Sequence, residues 1–102
     1  MGQETEGTEL QVITTMPRVV AAAIRIGTMV YSLPSPARHH DVISDMRLNR
    51  GVRGEQDETW EQGFLLDDGR FANRRQAASI ALRVEQIAAL KWPPNLYSED
   101  LW

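Results

Sequence analysis

Few residues in this chain are able to do chemistry. His39 and His40 are adjacent, Asp67-Asp68 and Glu99-Asp100 are paired carboxylates, and arginines stand at Arg38 and at Arg74-Arg75, just inside two apparent helix starts. Adjacent helical residues point about 100° apart, so the histidine pair does not chelate a metal as an i,i+4 pair would. His39 shares a helical face with Val42, Ile43 and Met46 and reads as a hydrogen-bonded core histidine. His40 projects elsewhere, toward a ligand or a partner chain. The carboxylate pairs read as a turn and a solvated tail rather than a catalytic dyad. There is no cysteine, no glycine-rich phosphate loop and no serine-nucleophile motif. The expectation is a protein without catalysis, without metal and without cofactor.

The arginines are the unusual feature. A cation at a helix N-terminus faces the positive end of the macrodipole, which is unfavourable unless an anion completes the site. Helix N-termini bind phosphate through free backbone N–H groups, and guanidinium groups add bidentate hydrogen bonds. Arg38 in the first helix and Arg74 and Arg75 in the second therefore fit a phosphate-bearing ligand. The structural alternative for Arg74 and Arg75 is to face solvent or to pair with Asp67 or Asp68. Phe64, Phe71, Trp60 and Tyr31 are candidates for a face on which a base stacks, and core positions otherwise.

The elements that must position these groups follow from the pattern. "VVAAAIRIGTMVYSL" alternates apolar residues around Gly27 and reads as a β-hairpin turning at Gly27-Thr28. Ser35 as N-cap and Pro36 at the first position predict the start of the first helix. Asn49 to Thr59 reads as a polar loop, Trp60 to Leu66 as a third strand, Asp67-Asp68-Gly69 as a turn and Arg70–Ala72 as a short return strand. Asn73 with Gln76 forms a capping box. The stripe Ala77, Ile80, Ala81, Val84, Ile87 and Ala88 carries the second helix from Arg74 to about Leu90, before Pro93-Pro94. "LYSEDLW" is a final extended segment whose apolar residues want burial. The order ββαββα predicts an α+β fold, a small mostly antiparallel sheet of about four strands with two helices on one face.

Composition bounds what such a domain does. At 102 residues, 42% hydrophobic and 25% charged, the chain suits one globular domain over 18–102, with residues 1–17 as a flexible polar tail. A net charge of −3 disfavours binding to long nucleic acid. The absence of cysteine fits a reducing cytoplasm. The longest apolar run, Val19 to Ile24, is too short to span a membrane, and the N-terminus lacks the pattern of a signal peptide.

"ARHHDVI", "EQGFLLDDGRFANRRQAASIA" and the terminal "LYSEDLW" together resemble a group of small phage proteins, over roughly Val19 to Trp102. That group is identified with the first-described type of the phage Thoeris anti-defence family. The resemblance implies a sponge that binds the cyclic ADP-ribose isomer made by bacterial TIR-domain defence enzymes and does not cleave it. It implies a homo-oligomer with ligands at subunit interfaces, acting in the cytoplasm of the infected bacterial host. With the arginines and aromatics above, the expected ligand contacts are Arg38, His40, Phe64, Phe71, Asn73, Arg74 and Arg75. The chain departs from the pattern near Glu85, where a glycine is expected. The alternatives are a protein-binding inhibitor of a host enzyme, using a sheet edge or the tail, and a nucleotide hydrolase using His40.

Overall fold

The computed structural model describes residues 17–53 and 59–102. Nearly all of the expected polar tail, and part of the loop before the third strand, lie outside the described residues. Strand β1 (Val19–Ile26) turns at Gly27, which has a φ of 62°, into β2 (Met29–Ser32). Helix α1 (His39–Asn49) follows, then β3 (Trp60–Leu66), β4 (Phe71–Asn73), helix α2 (Arg74–Arg83) and a short 3-10 turn at Ser98–Asp100. All strand pairs are antiparallel, in the order β2-β1-β3-β4. The α+β architecture and the ββαββα order are those expected.

The register separates two sheet faces. Ala22 opposite Phe64, Ile24 opposite Gln62 and Ile26 opposite Trp60 share one face; Ala23 opposite Gly63 and Arg25 opposite Glu61 share the other. The first face carries the core. Ile24, Phe64 and Leu66 pack with Val42 and Met46 of α1, with Ala77, Ala78 and Ala81 of α2, and with Leu96 from the C-terminal segment. Burying side chains the size of Phe64 or Ile24 contributes about 1.5–3 kcal/mol each. The alanines of α2 let its backbone lie close to the sheet. Gly63 serves close approach differently: a Cβ there would strike the Ala72 carbonyl and the Phe71 ring.

Three expectations are corrected. Helix α1 starts at His39, one turn after the predicted Ser35 cap. Ala37 N–H closes a turn on the Pro34 carbonyl at 3.1 Å, and the Asp41 carboxylate takes the Arg38 N–H at 2.8 Å, making Arg38 the N-cap. Helix α2 ends at Arg83 rather than near Leu90. Glu85 N–H bonds the Leu82 carbonyl (3.1 Å) and Gln86 N–H the Ala81 carbonyl (2.8 Å), with Glu85 itself at φ 59°. That is a Schellman ending, whose left-handed position favours glycine. It is the position at which the resemblance leads one to expect glycine. The helix is held to this stop because the Gln86 amide accepts from Val19 N–H (3.0 Å) and donates to its carbonyl (2.6 Å).

The last segment is not extended. Ser98–Asp100 winds into a 3-10 turn, and the segment folds back over both helix starts. Leu96 is fully buried, Leu101 packs on the core, and the Trp102 indole N–H donates to the Ala37 carbonyl at 3.0 Å. The chain itself thus buries much of the apolar surface of this last segment.

Candidate functional site

The folded-back segment brings the two helix starts together. Between them lies a cleft of about 320 Å³ lined by Arg38, His39, His40 and Ile43 of the α1 region, Gln62 of β3, Arg74 of α2, and Tyr97, Ser98 and Glu99. Sequence spacing does not place Arg38 near Arg74. Long-range contacts of the C-terminal segment do.

Arg74 resolves the apparent conflict with the helix dipole. Capping of α2 is carried by its neighbour, since Asn73 Oδ1 accepts from Gln76 N–H at 2.8 Å and Gln76 Oε1 from Asn73 N–H at 2.9 Å. The Arg74 guanidinium turns away from the helix end and lies 4.3 Å over the Tyr97 ring. Nη1 donates to the Leu96 carbonyl at 2.9 Å, Nη2 donates to Gln62 Oε1, and the Arg74 carbonyl accepts from Leu96 N–H at 3.0 Å. Burial pushes its pKa down from the ordinary value, opposed by Tyr97 and Glu99. A guanidinium stays charged nonetheless, and its remaining N–H groups are donors to an anion.

Arg38 stands across the cleft. Its Nη2 donates to the main-chain oxygen of Trp102, which leaves most of the guanidinium without a partner among the described residues. His40 is exposed, 3.3 Å from Asp41 Oδ1. His39 is buried, bonds the Gly63 carbonyl at 2.7 Å through Nε2, and meets Phe64 edge-on with centroids 5.0 Å apart. Desolvation lowers its pKa to about 4, against the opposing hydrogen bond to Gly63. At neutral pH it is an uncharged donor to Gly63, the core role expected of it.

The structure gathers Arg38, His40 and Arg74 in the cleft and disperses the other expected contacts. Phe64 is fully enclosed, packed against His39, so its ring offers no face to a ligand. Phe71 lies on the opposite sheet face, 4.6 Å beneath the Arg25 guanidinium, and lines a separate groove with Arg70 and Arg83. Asn73 is spent on the cap. Arg75 is exposed and makes no hydrogen bond or ion pair with the described residues. Neither Asp67 nor Asp68 takes an arginine of the helix start: Asp67 accepts from Arg18 N–H at 3.3 Å and Asp68 pairs with Arg70 at 2.8 Å.

Tyr97, Ser98, Glu99 and Gln62 are cleft residues that spacing did not reveal. Asp100 is not a solvated tail residue either. Its carboxylate accepts from Tyr97 N–H (2.9 Å) and Lys91 N–H (3.1 Å), and so fixes the turn that carries Tyr97 and Glu99. The cleft thus offers two guanidinium groups, an aromatic ring and one carboxylate, a set suited to an anion with hydroxyl groups beside it. Among the described residues no group of three His, Cys, Asp or Glu is placed to hold a metal ion, and no helix is long and apolar enough to cross a membrane.

Residues 18–102 match the family described as phage T4 y16D protein. No curated protein and no solved structure matches the chain.

Proposed function

We propose, from the premise that this chain belongs to the phage T4 y16D protein family, that it captures a cyclic ADP-ribose-type nucleotide and holds it intact. Capture withdraws the signal on which TIR-dependent Thoeris immunity relies, in the cytoplasm of the infected host. The observation that supports this reading is the convergence of Arg38 and Arg74, from two helix starts, on one cleft beside Tyr97. Phosphate is the anion such a pair suits, and a local positive site serves a small dinucleotide despite an acidic protein. Holding without cleaving is what the resemblance implies, and recovery of the ligand chemically unchanged checks it. Self-assembly, implied by the resemblance, belongs to the same proposal, and light scattering at micromolar concentration reads it.

A second reading, a protein-binding inhibitor of a host enzyme, is favoured by the sheet face away from the helices. There Val30, Leu65 and Phe71 lie on the same side as Ala21, Ala23 and Gly63, and Val30 is 39% exposed. One experiment separates the readings. The purified protein is incubated with cyclic ADP-ribose isomers, passed through a spin filter and then heated. The expected result is retention of one isomer with the protein and its recovery, chemically unchanged, after denaturation. An isomer in the flow-through, or one returned with altered mass, overturns the proposal.

A further inference from the structure

We infer that Trp92 is the base-stacking platform of the nucleotide cleft, and that the ligand is a phosphate-bearing nucleotide lying across Glu99 with its phosphate toward Arg38 and Arg74. The inference rests on the cleft being the binding site. A second depression of about 300 Å³ is lined by Trp92, Tyr97 and Glu99. Tyr97 and Glu99 also line the arginine cleft, so the two hollows share a wall. One hollow is cationic and the other aromatic, the division of labour that a nucleotide requires of its site.

Trp92 is 54% exposed. A single exposed apolar side chain needs no explanation by itself. What marks this one is how it is held. Its ring meets Tyr97 edge-on, with centroids 5.5 Å apart and planes at 85°, which leaves an indole face unopposed by Tyr97. The preceding Lys91 is tied to the Ser98–Asp100 turn twice, by its N–H to Asp100 Oδ1 at 3.1 Å and by Nζ to the Glu99 carbonyl at 3.3 Å. The Trp92 carbonyl accepts from Asn95 N–H at 3.2 Å, closing the turn over Pro93-Pro94. The platform is therefore anchored to the turn that supplies Tyr97 and Glu99. It also replaces the aromatic faces expected at Phe64 and Phe71, neither of which lines the cleft. Glu99 lines both hollows, and its carboxylate is an acceptor that suits sugar hydroxyls and disfavours phosphate beside it.

The test titrates wild type, Trp92→Ala and Trp92→Phe calorimetrically with cyclic ADP-ribose and with ribose 5-phosphate, which keeps sugar and phosphate but has no base. Trp92→Ala is expected to weaken the cyclic nucleotide roughly 5- to 150-fold, with unchanged ribose 5-phosphate binding and an unchanged melting temperature. Trp92→Phe restores most of the loss. Equal affinity of wild type and Trp92→Ala for the cyclic nucleotide, or an equal loss for both ligands, overturns the stacking role while leaving the cleft standing. A wild type that binds neither ligand overturns the cleft reading and this inference with it.

Discussion

His39 and His40 are consecutive in sequence and occupy opposite environments. His39 belongs to the closed heart of the domain, where its ring fills the space beside Phe64 and its Nε2 proton is spent on Gly63. His40 stands on the rim of the cleft, exposed. The same division separates Phe64, enclosed, from Trp92, half exposed, and Arg75, facing solvent, from Arg74, which straddles both regions. Residue type alone does not assign a role here. What decides is whether the polar or aromatic group has already found its partner within the chain.

The closed region is the easier one to break. Gly63→Ala places a methyl group against the Ala72 carbonyl and the Phe71 ring. The backbone cannot yield as a flexible side chain would, so we expect a loss of about 3 kcal/mol, at the top of the overpacking range. Denaturant melts measure it directly. A variant as stable as wild type would show that β4 does not approach β3 as described.

His39 gives the same region a pH dependence. Its folded pKa of about 4 lies below the ordinary value of 6.5, so between these values the unfolded chain binds the extra proton. The contribution is present in full above about pH 6.5 and is lost as pH falls toward 4, by up to about 3 kcal/mol. His39→Gln, which keeps an N–H donor, should flatten the stability profile between pH 4.5 and 7. An unchanged slope would place the titrating group elsewhere.

A smaller effect of opposite sign is expected at the end of α2. Glu85 occupies a left-handed position at φ 59°. Glu85→Gly relieves strain of about 1–2 kcal/mol, partly offset by the entropy of glycine in the unfolded chain. A net gain of about 0.5–1 kcal/mol in thermal or denaturant unfolding is the expected result. A net loss would mean that the Glu85 side chain contributes something the backbone geometry does not show.

Much of the closed region was legible in the sequence, because its determinants are local. Apolar residues three and four apart placed His39 beside Val42 and Met46 in the core, and Asn73 with Gln76 announced the start of α2. The end of α2 was not legible. The apolar stripe continues through Val84 and Ile87, whereas the stop depends on Gln86 reaching Val19 across the fold. The cleft was half legible for the same reason. Arginine at a helix start signalled Arg38 and Arg74 separately, but their meeting depends on Leu96 bonding Arg74 and Trp102 bonding Arg38, contacts that no local pattern encodes. Trp92 and Glu99 stood in stretches read as a helix stop and a solvated tail, so their proximity to the arginines emerges only from the fold.

The open region is tested most directly by calorimetric titration of cyclic ADP-ribose into wild type, Arg38→Ala and Arg74→Ala, with melting temperatures taken alongside. Among the described residues Arg38 bonds through its guanidinium only Trp102, so its removal should cost affinity and little stability. A charge-assisted hydrogen bond is worth about 1.5–3 kcal/mol, or roughly a 10- to 150-fold loss. Arg74→Ala should lose affinity and melting temperature together, because Leu96, Gln62 and Tyr97 lose their partner. The predicted result is therefore weakened binding in both variants, with a lower melting temperature in Arg74→Ala alone. Wild-type affinity in a folded Arg38→Ala protein, or no binding by the wild type itself, contradicts the claim that this cleft holds the ligand.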